Sequence, residues 1–487
     1  MIALTAHQHL TNRSSRRSSP HFGAELRLQA SKAIIGKENM ALRFAASVTG
    51  LVCFLSAQIA IGSLVQQNVL NQDAVELSTP SAAIESASIG TQPESELPII
   101  KEPRMPNKNM SEIGFPIGYH KFHKKQLFNF QLNRWYSLGY ARIEDMEKAG
   151  KRIKSFKDWK LEMLKLAEEA VSENRLVNAA FYYRAAEFYA KSKDPEKEFL
   201  YDRFIELFYA AFKNEQIERH KAPYEDTFLP ALRILPASEK KGTILIHGGF
   251  DSFIEEWFSM MKYFSNRGYE VIGFEGPGQG AALRKYGLPL IYEWEKPTKA
   301  ILDYFNPVKA TMLGLSMGGW FCLRAAAFEP RIERVIATGH AVDYMKSMNP
   351  IFRTIHLWFM EHCRDFMNRM AVMKFEKKEG MASWVVDHLK YITKKSKPLD
   401  ALEIYLQMNE ENIHSELVKQ DVLILTGRED HFIPFKMHDM QIKALTNARS
   451  VTGRVFTKEE HAQNHCQTGN IGLALDVMVK WIDKISR

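Results

Sequence analysis

The stretch A-T-M-L-G-L-S-M-G-G, residues 310–319, decides how the rest of the chain is read. A short β-prone run ends at Leu313 and passes directly into G-L-S-M-G-G, and a helical run through Cys322, Leu323 and Ala327 follows. Gly314 and Gly318 permit a turn too tight for a Cβ, and that turn lifts the Ser316 hydroxyl above a sheet at a helix N-terminus. A serine between glycines at this spacing is common by chance. Placed between a strand and a helix, it marks a nucleophile elbow with Ser316 at its apex.

Outward from the elbow, short apolar runs alternate with helical stretches. They are T-I-L-I at 243–246, E-V-I-G-F at 270–274, R-V-I-A-T at 334–338, D-V-L-I-L at 421–425 and R-V-F-T at 454–457. Runs apolar on both faces and separated by helices predict an α/β fold with a mostly parallel sheet covered on both sides. A helical insertion rich in Met, Phe and Trp interrupts the alternation at about 341–415. Function in such a sheet belongs at the carboxyl ends of the strands.

Three of those ends carry matching chemistry. H-G-G-F-D (247–251) can bring backbone N–H groups close to a substrate, so Phe250, with Gly249 next, is expected to complete an oxyanion hole with the N–H of Met317. T-G-R-E-D-H-F-I-P (426–434) offers Asp430 to orient an imidazole, with Glu429 beside it and Asp343 after another strand as alternatives. E-E-H-A-Q-N-H-C-Q-T-G-N (459–470) offers His465 as general base. His461 is its rival, set in a polar stretch after Glu459 and Glu460, while His431 adjoins the acid itself and His247 and His340 end other strands. E-G-P-G-Q-G (275–280) lacks the Walker lysine and the dinucleotide strand-to-helix fingerprint, and reads as a turn beside the site.

The chain has 487 residues, 45% hydrophobic and 25% charged, which fits a globular protein of two or three domains. Four scattered cysteines with no C-x-x-C pair exclude a disulfide framework and give no zinc motif. The net charge of +8 is not concentrated: residues 1–43 carry seven Lys/Arg against two Glu, and residues 44–110 carry three against six acids. That leaves a mildly basic surface with no nucleic-acid footprint. Residues 1–66 read as a presequence whose uncharged stretch from Phe44 to Val65 follows Arg43. A signal peptide, a membrane anchor and a transit peptide are alternative readings, so export or membrane anchoring is expected, with a cytoplasmic chain as the other option. Residues 67–110 are Ser/Pro/Glu-rich and read as a disordered linker.

Residues 111–221 read as a helical domain, strongly aromatic and without a second copy of any tetratricopeptide-like repeat. Ser155 and Asp158 predict a capping box before a face of Trp159, Met163, Leu166 and Ala170, and Asp194-Pro195 predicts the start of a helix running through Phe204, Phe208 and Phe212. The catalytic domain is placed at 222–487.

On H-G-G-F-D, E-G-P-G-Q-G, G-L-S-M-G-G and H-C-Q-T-G-N, residues 222–487 resemble an α/β-hydrolase. The Ser316…Asp430…His465 order is also the order of that superfamily. The stretch 115–487 is similar to the group with a helical domain before the catalytic one, which includes 2,6-dihydroxypseudooxynicotine hydrolase and polyketide-shortening hydrolases. The resemblance implies a substrate cleft between the two domains and, for several members, cleavage of a C–C bond beside a ketone. Glu275 stands where many hydrolases have Asp before P-G-x-G.

The expected function is a serine hydrolase acting on an ester, a thioester or a ketone-adjacent C–C bond, with no metal or organic cofactor. Met345, Met348, Phe352, Trp358, Phe359, Met360, Phe366, Met367 and Met370 suggest an apolar lid, or else the lid's own core. Expected partners are a small apolar or aromatic carbonyl compound and no nucleic acid, with membrane association through residues 44–65 and a homodimer as further options. The alternative class is a binding or regulatory protein on the same scaffold, since the chain also resembles fermentation-respiration switch proteins in its helical N-terminal part.

Overall fold

The computed structural model describes residues 114–376 and 379–486. The presequence, its segment 44–65 and the linker lie outside the described residues. Among those described, no helix is long and apolar enough to cross a membrane.

Five helices come first: α1 (Gln126–Ser137), α2 (Ile143–Arg152), α3 (Phe156–Ser172), α4 (Leu176–Phe188) and α5 (Lys197–Ala211). The capping box forms as read. Ser155 Oγ accepts from Asp158 N–H at 3.1 Å and Asp158 Oδ2 accepts from Ser155 N–H at 3.0 Å, and Trp159, Met163, Leu166 and Ala170 are buried. Helix α5 starts two residues later than the Asp-Pro pair predicts. Asp194 spends its carboxylate on the Glu196 N–H and on Lys160, so Pro195 and Glu196 make a turn before the helix. Aromatic pairs fill this layer, with Tyr140 stacked on Phe181 at 3.6 Å and Phe128 on Trp159 at 5.6 Å.

One sheet of eight strands follows, ordered β1-β2-β4-β3-β5-β6-β7-β8. Its strands are β1 (Glu218–Tyr224), β2 (Thr227–Ile234), β3 (Gly242–His247), β4 (Tyr269–Phe274), β5 (Ala310–Leu315), β6 (Ile332–Thr338), β7 (Asp421–Gly427) and β8 (Ser450–Phe456). The pairs β1–β2 and β2–β4 are antiparallel and all others parallel. Each of the six parallel strands overlaps one of the apolar runs, β8 only at its last three residues, and β4, β5 and β7 are buried at every residue. The β1–β2 hairpin was not predicted. Its residues E-R-H-K-A-P-Y and T-F-L-P-A-L-R-I carry charges and prolines that do not read as strand. Pro223 is tolerated because β1 is the sheet edge, and Pro230 because pairing with β4 begins only at Ala231. The sheet therefore begins at Glu218, four residues before the boundary read from the sequence.

Helices α6 (Phe258–Ser265), α7 (Gly280–Arg284), α8 (Glu295–Phe305) and α9 (Met317–Phe328) connect the strands up to β6. The insertion between β6 and β7 holds α10 (Pro350–His362), α11 (Arg364–Ala371), α12 (Met381–Thr393) and α13 (Pro398–Leu406), and α14 (Lys436–Ala444) and α15 (Ile471–Ile485) complete the fold. The helical layer is tied to the strand ends by buried polar contacts. Arg134 of α1 and Arg184 of α4 both pair with the fully buried Glu256, the latter at 2.7 Å, and the Ser259 N–H donates to Tyr140 Oη at 2.8 Å.

Candidate active site

The turn from β5 to α9 places Ser316 at φ 59° and ψ −129°, a left-handed backbone that costs a non-glycine residue strain. Its two glycines are required sterically. A Cβ on Gly314 would lie 2.0 Å from the Gly318 carbonyl oxygen, and one on Gly318 would lie 2.7 Å from the Gly248 carbonyl oxygen.

Ser316 Oγ lies 2.9 Å from His465 Nε2, and His465 Nδ1 lies 2.7 Å from Asp430 Oδ2. The second carboxylate oxygen of Asp430 accepts the N–H groups of Phe432 and Ile433 at 2.8 and 2.9 Å, so the loop after β7 fixes the acid before any substrate arrives. His465 comes from the loop after β8. That loop passes so close to the end of β7 that a Cβ on Gly427 would lie 2.3 Å from the Gln463 carbonyl oxygen. Burial works to lower the His465 pKa, but the Asp430 carboxylate and the Cys466 side chain outweigh it and raise the value well above that of an ordinary histidine.

The rivals are placed elsewhere. Glu429 and His461 are exposed. Asp343 Oδ1 accepts the N–H groups of Met345 and Lys346 and caps the short helix that follows it. His340 pairs with Gln441 at 3.2 Å, and His247 sits beneath the strand ends with Nδ1 3.0 Å from the Gly248 carbonyl. Burial lowers the pKa of both, to about 4. His431 packs its ring on Phe432 at 4.0 Å and Phe130 at 4.8 Å and leaves both ring nitrogens without a partner.

Met317 opens α9, so its N–H has no partner within the helix. Gly249 packs directly against it, and a Cβ there would lie 2.7 Å from Met317 N. Gly249, Phe250, Ser316, Met317 and His465 all line one cavity, with Asp430 behind His465. The cavity encloses about 1360 Å³, open solvent at its mouth included. Its walls are mainly apolar: Phe130 from α1 and Leu138 just after it, Trp257 and Met260 from the β3–β4 connection, and Trp384 and Tyr405 from the insertion.

The lid expectation needs correction in its residues. None of Met345, Met348, Phe352, Trp358, Phe359, Met360, Phe366, Met367 and Met370 lines the cavity. Met348, Met360 and Met367 are buried, whereas Phe352 and Trp358 are exposed. The roof comes instead from α12 and α13, through Met381, Trp384, Val385, Leu389, Leu402 and Tyr405. Sequence reasoning also missed Phe130, Gln131 and Arg134, which α1 contributes to the wall. Their only signal was the aromatic density of the helical region.

The sequence profile described as "alpha/beta hydrolase fold" matches residues 244–364. The 20-hydroxy-prefusarin hydrolase FUS2 of Gibberella moniliformis is 28% identical over 364 residues, which cover 64% of this chain and 84% of that one. Hydrolase acrC of Aspergillus aculeatus is 26% identical over 56% of this chain and 70% of its own length. Hydrolase LUC6 of Fusarium is 30% identical, and the match spans 44% of this chain and only 56% of that protein. The solved structure of 2,6-dihydroxy-pseudo-oxynicotine hydrolase superposes with a TM-score of 0.51 at 22% identity, covering 72% of this chain and 94% of that one. With eight strands in this order, a strained serine at the β5–α9 turn and relatives named as hydrolases, the chain is an enzyme of the α/β-hydrolase fold, a hydrolase.

Proposed function

We propose that this hydrolase works through a Ser316–His465–Asp430 triad on an apolar or aromatic carbonyl substrate. The observation that carries the reading is the unbroken hydrogen-bonded chain from Ser316 Oγ through both His465 nitrogens to Asp430, opening into an apolar cavity. Ser316 Oγ attacks the carbonyl carbon while His465 Nε2 takes its proton, and Asp430 stabilises the imidazolium that results. Met317 N–H and the N–H groups of Gly249 and Phe250 receive the oxyanion. Collapse of the tetrahedral intermediate expels an alkoxide, a thiolate or an enolate, which takes the proton from His465 and leaves as the alcohol, the thiol or the ketone. The acyl group stays on Ser316. Water, deprotonated by His465, then releases the carboxylic acid and restores the serine.

The same steps serve an ester, a thioester or a C–C bond beside a ketone. The mainly apolar walls and the aromatic roof of Trp384 and Tyr405 favour a substrate with extended apolar or aromatic parts. One relative is named for hydrolysis of 20-hydroxy-prefusarin. A panel of acyl esters, acyl thioesters and aryl β-diketones tests the reading and sorts the bond type. Turnover of at least one class, lost in folded Ser316→Ala, is the expected result. Undiminished turnover in that variant removes the serine from the chemistry.

A further inference from the structure

The carbonyl oxygens of four consecutive residues in the loop after β3 are all taken, and by donors from different parts of the chain. Gln279, the fifth residue after β4, is buried and uses its whole carboxamide. Its Oε1 accepts the Gly276 N–H at 3.0 Å, and its Nε2 donates to the carbonyls of Gly248 and Gly249, both at 2.9 Å. One donor and two acceptors around the amide fix which end is oxygen and which nitrogen. The next two carbonyls are held from outside the sheet. His388 of α12 donates from Nε2 to the Phe250 oxygen at 3.0 Å, and Arg184 of α4 donates to the Asp251 oxygen.

In a trans peptide the C=O and N–H of one unit point in opposite directions. The Gly248 oxygen shares its peptide with the Gly249 N–H, and the Gly249 oxygen shares its own with the Phe250 N–H. A single amide nitrogen holding both oxygens therefore turns both N–H groups to the face away from Gln279. Successive N–H groups converging in this way form an anion-receiving concavity. Gly249 and Phe250 line the cavity, and Gly249 is pressed against the amide of Met317.

We propose that Gln279 is the positioning residue of the oxyanion hole, aiming the Gly249 and Phe250 N–H groups at the oxygen that develops on the substrate of Ser316. The proposal rests on the Ser316 reading above. Gln279 does not touch the substrate. It holds the loop's dipoles in place before reaction, so its effect belongs to the transition state and not to ground-state binding. The glutamine in E-G-P-G-Q-G thereby acquires a role beyond that of a turn.

The test compares wild type, Gln279→Ala and Gln279→Glu with a p-nitrophenyl acyl ester, and with a trifluoromethyl ketone and its methyl ketone counterpart as inhibitors. The glutamate keeps the volume and the acceptor but, ionised, cannot donate to the two carbonyls. The trifluoromethyl ketone forms a hemiketal oxyanion on the serine, whereas the methyl ketone reports ground-state binding. Both variants are expected to lose about 10²-fold in kcat, as removal of an oxyanion donor does, with KM changed by less than about twofold. The trifluoromethyl ketone should weaken by a similar factor and the methyl ketone hardly at all. The proposal is overturned by kcat within about threefold of wild type, by equal weakening of both ketones, or by activity lost only in step with the fold in both variants. A wild type whose ester turnover survives Ser316→Ala defeats the triad reading itself, which is a separate outcome.

Discussion

Ser316 is the residue at which backbone strain and the proposed chemistry coincide. Its left-handed backbone costs on the order of 1–3 kcal/mol, and glycine alone adopts it freely. Ser316→Gly should therefore unfold at a higher temperature than wild type, by about 1 kcal/mol of stability, whereas Ser316→Ala should not. Thermal unfolding of the three proteins measures this directly. The histidine yields a pH prediction. The proposed reaction needs the neutral imidazole, and Asp430 raises the His465 pKa well above 6.5, so activity should be lost as pH falls through a value above that of a free histidine. In Asp430→Asn the carboxylate that opposes burial is gone, so the acid limb of kcat/KM should move to lower pH while the plateau falls by roughly 10⁴-fold. An acid limb that moves up or stays in place contradicts the assignment of Asp430. Ser316, Asp430 and His465, the members of the proposed triad, were legible as candidates because each stands in a loop marked by glycine or a polar cluster at the end of an apolar run. Gln279 was not. Its role depends on the β4 loop lying beside the β3 loop, and nothing in E-G-P-G-Q-G states that neighbour.

At the scale of elements, close approach of two turns builds the site. Gly249→Ala would drive a Cβ into Met317, at 2.7 Å from its N and 2.8 Å from its Cβ. Separation of the two donors should lower kcat by about 10²–10³-fold, with a much smaller change in KM, measured by steady-state kinetics on an ester. The inner parallel strands β3 to β7 were readable because burial on both faces demands unbroken apolar runs. The β1–β2 hairpin was unreadable for the opposite reason: an edge needs little apolar surface and tolerates Pro223 and charge. The insertion was visible as a departure from the α/β alternation, but which of its helices face inward was not. Composition alone favoured the Met- and Phe-rich segment around α10 and α11. The roof is made by α12 and α13, whose Trp384 stacks on Phe188 at 5.3 Å and donates its indole N–H to the Phe188 carbonyl.

For the molecule as a whole, the helical layer and the sheet share one buried electrostatic joint. Glu256 is fully buried between Arg134 and Arg184, and Arg184 also reaches Glu187 and the Asp251 carbonyl of the loop after β3. Glu256→Ala leaves two guanidinium groups short of a buried counter-charge and should destabilise the protein by about 3–5 kcal/mol, read from urea unfolding. A loss below about 1 kcal/mol, the size expected of a surface pair, would mean that this joint does not hold the layers together. None of this joint was evident in the sequence, where Arg134, Arg184 and Glu256 lie far apart and in different patterns. The central claim concerns one hydroxyl, that of Ser316. Reaction of the whole chain with a fluorophosphonate, followed by peptide mass mapping, tests it most directly. The account predicts a single phosphonyl adduct on the peptide carrying Ser316, formed far more slowly in folded His465→Ala and at an undiminished rate in His461→Ala; folded protein that takes no adduct, or takes it on another residue, would contradict it.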